Sequence, residues 1–541
     1  MDFYSRRQFV TGLAAGGVIA GMGVRPSSGS AFSLEIGELP VNFTGRSRMA
    51  TVVNGSLPAP LLRFREGDEV ILAVSNRLKV LSAIHWHGLQ LSAEMDGVPG
   101  LSFAGIAPGG SYEYRFKALQ SGTYWYHAHA GYQEQTGLYG PIIIDPRKPE
   151  PFTYDREFVV MFSDWSDLSP ERIVGLLKKQ SDYFNKSKTM STERGEWARM
   201  RMSPTDRADV SASTYTYLVN GKTPAGNWTG VYAPGERIRL RFINAGAMTY
   251  FDVRIPGLKM TVVAADGQHV EPVIVDEFRL AVAETLDVIV TPAAGQAYTV
   301  FAQSMDRSGF ARCTLAPAPG MQAAVPPLDG QVLMTMDDMG HGGMADMPDM
   351  PSMDHGSMAE HPATEKDNPF VDMQSMDPKP RLASPGIGLR EWDLQAVRVG
   401  YVPGHKVLAL ADLRSSFPDP DGREPGRTIE LHLTGHMDRY VWSFNGVKFS
   451  DATPLEMVLG ERLRIVLVND TMMEHPIHLH GMWSDVEDED GAFLVRKHTV
   501  TIPPGTKRSY RVTADAPGRW AYHCHLVFHM ALGMFREVRV T

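Results

Sequence analysis

A short stretch of the sequence carries a thiol, three imidazoles and a thioether. It contains His523, Cys524, His525, His529 and Met534. Successive side chains along a β-strand point to opposite faces, so Cys524 is expected on one face and the two flanking histidines on the other. One strand would then serve two metal sites. A Cys and a His with a more distant Met are the ligands of a blue-copper electron-transfer centre, provided that a second His is supplied from elsewhere.

Four pairs of histidines, each with a single residue between its members, indicate a second kind of metal site. They are His85/His87, His127/His129, His478/His480 and His523/His525. Because side chains on a strand alternate between faces, both imidazoles of a pair emerge on the same face. Eight imidazoles are too many for one ion, but they suit a cluster of three copper ions. Structural zinc sites are closed tetrahedra of four ligands and do not use such a set.

His475 can supply the histidine that the blue-copper site still needs. It lies three residues before His478 and therefore falls outside the alternation that turns His478 toward the cluster. We expect His475, Cys524 and His529 to form a trigonal copper site. Met534 would be its long axial ligand.

These residues are set on a template that occurs three times in the chain. The template runs from Gly67 to Asn76, from Gly235 to Asn244 and from Gly460 to Asn469, with the same spacing each time. An Asn-Gly turn precedes each copy, at Asn54-Gly55, Asn220-Gly221 and Asn445-Gly446. Short alternating strands bounded by Gly, Pro and Asn dominate the rest of the sequence. The repeat predicts three homologous β-sandwich domains.

The repeat also predicts which domains carry metal. The outer copies have the histidine pairs at equivalent positions, whereas the middle copy has Val253, Ile255, Val300 and Ala302 there. We interpret the middle domain as a spacer without copper ligands.

Composition sets the domain boundaries. We predict a signal peptide at 1–31, domain 1 at 32–148, domain 2 at 149–318, a Met-rich disordered linker at 319–385 and domain 3 at 386–541. Domain 2 contains a helical insertion between Asp164 and Val210, with a helix start at Ser169-Pro170. Ile173, Leu177 and Phe184 are expected on one face of it. We assign no chemistry to this insertion.

The first residues predict export. Ser5-Arg6-Arg7-Gln8-Phe9 and the apolar run that follows have the form of a twin-arginine signal, cleaved near Ser30 or Ala31. The run is short and Gly-rich for a membrane anchor, and no other segment is long enough to span a membrane. A net charge of −9 argues against a nucleic-acid partner. The location predicted is the periplasm.

The chain has two cysteines, Cys313 and Cys524. A disulfide between them would consume the thiolate of the copper site, so we expect Cys313 to be a small buried hydrophobic residue.

The motifs resemble those of the multicopper oxidases along nearly the whole chain. They are His85-Trp86-His87-Gly88, His127-Ala128-His129, His475-Pro476-Ile477-His478-Leu479-His480-Gly481 and His523-Cys524-His525 through Met534. With the signal and the Met-rich segment, the chain resembles the periplasmic copper-resistance protein A group. The resemblance implies an all-β fold of three cupredoxin-like Greek-key domains.

The resemblance also implies the roles of the site residues. His85 and His478 would hold a type 2 copper. A type 3 pair would be held by His87, His127, His129, His480, His523 and His525. Electrons would enter at the type 1 copper, pass from Cys524 to the catalytic residues His523 and His525, and reduce dioxygen to water. Asp96 would relay protons or orient a ligand, unless it is only a turn residue before Gly97. Some relatives carry a second relay Glu between Cys524 and His529, but here Phe528 occupies that segment.

The Met-rich segment suggests the substrate. Between Met334 and Met376 it contains ten methionines and three histidines: Met334, Met336, Met339, Met344, Met347, Met350, Met353, Met358, Met373, Met376, His341, His355 and His361. Thioethers select Cu(I), so we expect this segment to bind it. Met472 and Met473 either transfer Cu(I) to His475 or are packing residues. The acidic run from Asp485 to Asp490 either guides cations or is a solvated loop.

Three functions remain open. The first is a periplasmic oxidase of Cu(I) that uses dioxygen and is served by periplasmic copper carriers. The second is a laccase-like oxidase of phenols or other small organic reductants. The third is a copper-sequestering protein.

Overall fold

The structure is a computed structural model that describes residues 30–185, 207–335, 337–338, 371, 374–375, 377–437 and 439–541. The predicted export signal up to residue 29 and nearly all of the predicted methionine ligands lie outside these residues. In the described part, no helix is long and apolar enough to cross a membrane.

Domain 1 is a sandwich of two four-stranded sheets, ordered β2-β1-β4-β6 and β3-β8-β7-β5. Its strands are β1 (Ser30–Val41), β2 (Arg48–Val53), β3 (Leu62–Arg65), β4 (Glu69–Asn76), β5 (Ile84–His87), β6 (Ser111–Lys117), β7 (Gly122–Ala128) and β8 (Tyr139–Asp145). A short 3₁₀ turn, Ala93–Met95, follows β5.

Domain 2 packs a six-stranded sheet on a five-stranded one, ordered β10-β9-β12-β17-β14-β15 and β11-β19-β18-β13-β16. Its elements are β9 (Arg156–Ser166), α1 (Pro170–Leu177), β10 (Tyr215–Val219), β11 (Trp228–Val231), β12 (Ile238–Asn244), β13 (Phe251–Arg254), β14 (Met260–Ala265), β15 (Gln268–Val275), β16 (Glu277–Leu280), β17 (Thr285–Val290), β18 (Tyr298–Ser304) and β19 (Phe310–Ala316).

Domain 3 repeats this plan, with sheets ordered β21-β20-β23-β28-β25-β26 and β22-β30-β29-β24-β27. The helix α2 (Glu391–Val397) and the 3₁₀ turn Leu410–Asp412 precede the first strand. A second 3₁₀ turn, Phe449–Asp451, follows β21. The other elements are β20 (Arg427–His436), β21 (Val441–Phe444), β22 (Leu455–Met457), β23 (Arg462–Asn469), β24 (His475–Leu479), β25 (Ser484–Glu487), β26 (Phe493–Lys497), β27 (Thr499–Ile502), β28 (Lys507–Thr513), β29 (Gly518–Cys524), α3 (Val527–Ala531) and β30 (Phe535–Val540).

The last Asn of the predicted template has the same structural role in all three domains. Asn76, Asn244 and Asn469 are fully buried at the ends of β4, β12 and β23. Each side-chain amide donates to two backbone carbonyls, one in the following loop and one in a distant segment. Each side-chain oxygen accepts a backbone N–H two residues later. The Asn therefore fixes the loop that leads to the next strand, which in domain 3 is the strand of His475.

The predicted Asn-Gly turns are confirmed, since both residues of each turn have positive φ. The apolar residues Val253, Ile255, Val300 and Ala302 are buried in the core of domain 2. Cys313 is also buried there, and it is not disulfide-bonded.

Two sequence-based interpretations need correction. The helix α1 ends at Leu177, so Phe184 packs into the core from beyond it rather than from the predicted helical face. Part of the acidic run is neither a solvated loop nor a guide for cations. Asp485 and Glu487 lie buried on β25, where they pair with Arg462, Arg464, Arg496 and Arg511.

A buried charge cluster joins domains 1 and 2. Asp287 on β17 accepts hydrogen bonds from Arg239 at 2.6 Å and from Thr123 of domain 1 at 2.9 Å. Arg241 also donates to Thr123, at 2.7 Å. The cluster stabilises the interface only while every charge keeps a partner.

Replacing Asp287 with Ala is expected to lower the free energy of unfolding by about 3–5 kcal/mol, because it leaves buried arginines undercompensated. The midpoint of thermal unfolding, followed by circular dichroism, measures this loss. Glu113→Ala is the control, since it breaks an exposed pair with Arg115 that contributes at most about 1 kcal/mol. Equal effects of the two variants would contradict the role given to the cluster.

Candidate metal centres

The strand register brings the histidine pairs of domains 1 and 3 into equivalent places. β5 pairs with β7 so that His85 lies opposite His127, and β24 pairs with β29 so that His478 lies opposite His523. The second histidine of each pair follows two residues later, on the same face. The two domains present these faces to each other across their interface.

Eight histidines meet there in three groups, two of which share His87, and the ligand atoms of each group lie within 4.8 Å of one another. The groups are His85/His87/His478, His87/His127/His525 and His129/His480/His523. Across the interface, the Nε2 atoms of His127 and His525 are 3.3 Å apart, and those of His129 and His523 are 3.4 Å apart. These spacings fit imidazoles that share one ion at a metal–nitrogen distance of roughly 2 Å.

Hydrogen bonds on the outer side of each ring determine which nitrogen faces inward. His85, His127, His478 and His523 are bonded to backbone carbonyls through Nδ1, and His480 is bonded to a carboxylate through Nδ1. Their Nε2 atoms therefore point at the centre. His87 is the exception, because its Nε2 is bonded to His498 and Thr499.

The inward nitrogens supply the test of fit. His85 Nε2, His87 Nδ1 and His478 Nε2 are buried and have no hydrogen-bond partner in the described part of the chain. Buried polar atoms are normally paired. Unpaired imidazole nitrogens that converge on one point fit a metal that accepts nitrogen ligands, as copper does.

Burial keeps these ligands in the neutral form that binds metal. Burial lowers the pKa of His87, His127 and His480, and neighbouring imidazoles lower it further. Burial lowers the pKa of His523 to about 3. At neutral pH these side chains therefore have a free lone pair on the ring.

Two buried carboxylates support the cluster from opposite sides. Asp96 accepts from Nδ1 of His480 at 2.8 Å and lies 3.2 Å from Nδ1 of His85. Glu134 lies 2.6 Å from Nδ1 of His127 and 3.8 Å from Nδ1 of His525. Asp96 also precedes Gly97, which has a positive φ of 82°. Asp96 thus lies against two imidazoles of the cluster and directly before a glycine turn, and its role as an orienting or relay residue stays a prediction.

A second group lies on the opposite face of β29. The Sγ atom of Cys524 is 3.6 Å from Nδ1 of His475 and 3.8 Å from Nδ1 of His529, and the two Nδ1 atoms are 3.2 Å apart. This triangle fits a trigonal ion held by two imidazoles and a thiolate. Met534 is fully buried, and its backbone carbonyl accepts from Cys524.

The outer nitrogens of this second group are both bonded to protein. Nε2 of His475 is 2.7 Å from Oγ1 of Thr471, and Nε2 of His529 is 2.7 Å from Oδ2 of Asp209. Trp442 stacks on the ring of His529 with centroids 3.8 Å apart. These contacts fix both Nδ1 atoms toward the thiol.

The structure adds three residues that the sequence analysis missed. Asp209 belongs to the insertion in domain 2 to which no chemistry was assigned. Glu134 lies beside the cluster, although the sequence has no relay Glu between Cys524 and His529. His498 is a lone histidine that contacts His87. Only Glu134, five residues after His129, has a sequence neighbour among the ligands, because the other contacts arise from tertiary packing.

A cleft of about 740 Å³ reaches the cluster at His129. Its walls include Tyr132, Gln135, Trp165 and Leu168. His129 is only partly buried, whereas the two histidines grouped with it are fully buried.

Three cupredoxin-like domains with this arrangement of ligands define a multicopper oxidase. Models of that family match residues 35–149, 157–324 and 422–541. The chain belongs to the multicopper oxidases, whose copper cofactors are one type 1 ion, one type 2 ion and a type 3 pair. The three-histidine groups and the Cys-containing group fit these sites.

Among characterised relatives, the chain is 58% identical to the "Copper resistance protein A homolog" of Pseudomonas syringae pv. tomato, and the match covers 99% of each chain. It is 57% identical to "Copper resistance protein A" of Escherichia coli, again over 99% of each. The "Multicopper oxidase MmcO" of Mycobacterium tuberculosis is 31% identical over 98% of this chain and 95% of that protein.

Solved structures share the fold. Fet3p, described as a multicopper oxidase that functions in iron import, aligns with a TM-score of 0.68 at 20% identity, covering 95% of this chain and 90% of that one. A multicopper oxidase from Pseudomonas thermotolerans aligns with a TM-score of 0.60 at 21% identity, covering 95% and 100%.

Cys524→Ser is expected to remove the intense visible absorption of a copper–thiolate bond and to stop dioxygen consumption. The histidine cluster has its own ligands, so the paramagnetic signal of a type 2 copper should remain. Absorption and electron paramagnetic resonance spectra of the copper-loaded variant test this. A visible band of unchanged intensity would show that Cys524 is not a ligand.

Glu134→Gln is expected to lower the copper affinity of the histidine pair that it supports by about 10- to 100-fold, as with other residues that orient metal ligands. Copper content after dialysis and the near-ultraviolet band of the bridged pair are the measurements. Glu113→Gln, on the exposed surface of domain 1, is the matched control. Full occupancy in Glu134→Gln would exclude this role.

Proposed function

We propose that the protein is a periplasmic oxidase of Cu(I) that reduces dioxygen to water and acts in copper resistance. The observation that supports this most directly is the position of the Met-rich segment. Its described ends both contact the loop of residues 469–473, which leads to His475.

One end lies in an apolar cluster against which the loop also packs. Met334 is buried, with 4% of its surface exposed, and it packs in one apolar cluster with Ile387, Val332 and Met472. Met472 directly follows Thr471, which holds His475. Met473, in contrast, is buried in the main core. Met472 is therefore the better candidate for passing Cu(I) on.

The other end contacts the loop through hydrogen bonds. The backbone N–H of Ser375 donates to Asp470 at 2.7 Å, and its hydroxyl donates to the carbonyl of Asn469 at 2.9 Å. The methionines between these ends lie outside the described residues. A methionine-rich segment whose described ends both lie beside the loop that leads to His475 favours Cu(I) as the electron donor, because thioethers are soft ligands.

The surroundings of the Cys-containing site argue against phenols. The outer nitrogens of His475 and His529 are occupied by Thr471 and by the fully buried Asp209. In the part of the chain that the structure describes, neither ring offers a free nitrogen to an organic substrate. A metal ion that donates its electron from a nearby binding site does not need a free nitrogen on either ring, so Thr471 and Asp209 do not block it.

We assign the ligands as the family resemblance implies. His475, Cys524 and His529 would hold the type 1 copper with Met534 as the axial ligand, and His85 and His478 the type 2 copper. The type 3 pair would be held by His87, His127, His129, His480, His523 and His525. Copper supplies the electron transfer and the dioxygen chemistry when bound.

The side chains around the metals do the positioning. Nδ1 of His480 donates to Asp96, and Nδ1 of His127 donates to Glu134, which directs each Nε2 inward. His523 donates from Nδ1 to the carbonyl of Cys524 at 2.9 Å, which adds a hydrogen bond to the covalent path between the two sites. The cleft at His129 gives dioxygen a way in.

A periplasmic location is supported by the twin-arginine sequence at Arg6-Arg7. A role in copper resistance is supported by relatives that carry that name. Periplasmic copper carriers are the partners that such a role requires.

The double variant Met334→Leu with Met472→Leu tests the proposal. It keeps side-chain volume but removes both thioethers, so the KM for Cu(I) should rise about tenfold. Oxygen consumption with Cu(I) as the only reductant is the measurement, and turnover of a diphenol should not change. Met49→Leu, at an exposed position on β2, is the control.

Two results would favour the other functions. High diphenol turnover in wild type without any Cu(I)-dependent oxygen consumption would indicate a laccase-like enzyme. Copper tolerance that survives in Cys524→Ser cells would indicate a copper-sequestering protein.

A further inference from the structure

His498 lies between β26 and β27 and touches the cluster without belonging to the predicted ligands. It is 1% exposed, and its ring centroid is 4.6 Å from that of His87. Gly88 makes room for it, because a Cβ atom there would come within 2.5 Å of the His498 ring. A residue with a side chain at position 88 of the first histidine motif would therefore collide with His498.

The backbone of His498 is fixed on both sides. Its carbonyl accepts from Nδ1 of His478 at 2.6 Å, which turns Nε2 of that ring toward the type 2 position. Its N–H donates to Asp266 of domain 2 at 3.2 Å, as does the N–H of Thr499. Lys497 holds the same carboxylate at 3.0 Å.

The side chain of His498 is bonded on one side only. Nδ1 is 3.1 Å from Nε2 of His87 and 3.1 Å from Oγ1 of Thr499. His87 must keep Nδ1 unprotonated to bind a metal, so its Nε2 carries the hydrogen and acts as the donor. If His498 accepts that hydrogen bond with Nδ1, its own hydrogen is on Nε2.

Nε2 of His498 is buried and has no hydrogen-bond partner within the described ranges. The ring lines a small cavity of about 10 Å³, which His85 and His478 also line. Such a volume holds about one water molecule. Nε2 of His85 and Nε2 of His478 are likewise buried without a hydrogen-bond partner in the described residues. The cavity therefore combines a metal position with one hydrogen-bond donor of fixed direction.

We propose that His498 binds the small exogenous ligand of the type 2 position, a water, hydroxide or halide ion that accepts a hydrogen bond from Nε2. His85 and His478 define the metal side of this subsite, and His498 defines its opposite side. In the same arrangement, Nδ1 of His498 holds His87. The inference needs the copper cluster but is independent of which reductant the enzyme oxidises.

A purely structural histidine would leave a different pattern. Buried polar atoms that only support packing are satisfied within the protein. Here the packing contacts with Trp483 and Tyr124 use the ring faces and edges, and they leave Nε2 directed at the cavity. An unpaired donor beside two unpaired imidazole lone pairs fits a metal ion held by the lone pairs whose own ligand accepts a hydrogen bond from the donor.

Two amide substitutions distinguish the role of Nδ1 of His498 from the role of its Nε2. In His498→Asn the amide reaches the place of Nδ1 and can still accept from His87, but nothing reaches the cavity. In His498→Gln the amide extends to the place of Nε2 and keeps a donor there. His269→Asn, in domain 2 and away from the ligands, is the control.

The probe is sodium fluoride, titrated into the copper-loaded full-length protein. Fluoride bound to a type 2 copper splits its electron paramagnetic resonance signal, so affinity is read without turnover. We expect His498→Asn to bind fluoride at least about tenfold more weakly, as for other lost hydrogen bonds to an anion. His498→Gln should remain within about threefold of wild type.

Copper content and the thermal midpoint of each variant are measured first, so that a folding defect is recognised. If both amide variants lose copper, hyperfine splitting of wild-type protein with fluoride in ¹H₂O and ²H₂O replaces them, and a hydrogen bond from Nε2 predicts a deuterium-sensitive coupling. Equal fluoride affinity of His498→Asn and wild type, or the absence of that coupling, would overturn the proposal. Loss of Cu(I) oxidation alone, with fluoride binding intact, would count against the proposed function and not against this subsite.

Discussion

The structure depends on one constraint: buried imidazole nitrogens of domains 1 and 3 face each other across the interface with their lone pairs. Across this interface the Nε2 atoms of His127 and His525 lie 3.3 Å apart and those of His129 and His523 lie 3.4 Å apart. His127 and His523 are each held on the outer side by a backbone carbonyl. Neutral nitrogens that face each other in this way repel unless a cation lies between them. The free energy of binding copper is therefore also free energy of holding the two domains together. A cluster shared by two domains cannot form in either one alone.

Domain 2 holds this arrangement in place through residues that are outside the candidate ligand groups of the described chain. Asp266, at the turn between β14 and β15, fixes the segment of Lys497 to Thr499 behind the cluster. Asp209 fixes His529 at the other site, and Asp287 joins the domain to Thr123. The interpretation of domain 2 as a spacer is incomplete about its role, and its lack of copper ligands stays a prediction. It acts through three aspartates that each reach a different neighbour.

Periodicity and repetition made most of the fold predictable. The Gly-to-Asn template reflects local structure, namely a turn before a strand and a buried Asn at the end of that strand. Each copy can therefore be recognised from its own sequence. The pairing of His-x-His on one face follows from strand geometry alone. Glu134, Asp209 and His498 have no such signal, because a carboxylate or imidazole becomes a partner of a ligand only when distant segments pack. The end of α1 was also missed. Phe184 is buried through tertiary contacts beyond the helix, so its apolar side chain does not indicate that the helix continues to it.

The two metal sites are coupled because one strand carries ligands of both. Cys524 faces the trigonal site, while His523 and His525 face the cluster, so the separation of the sites is fixed by the pleat of β29. The hydrogen bond from His523 to the carbonyl of Cys524 stiffens this link. Electron entry is restricted in turn, since Thr471 and Asp209 occupy the outer nitrogens of His475 and His529. The loop of residues 469–473 and the Asp209 contact therefore connect these two rings to the rest of the protein, and the described ends of the Met-rich segment both lie at that loop.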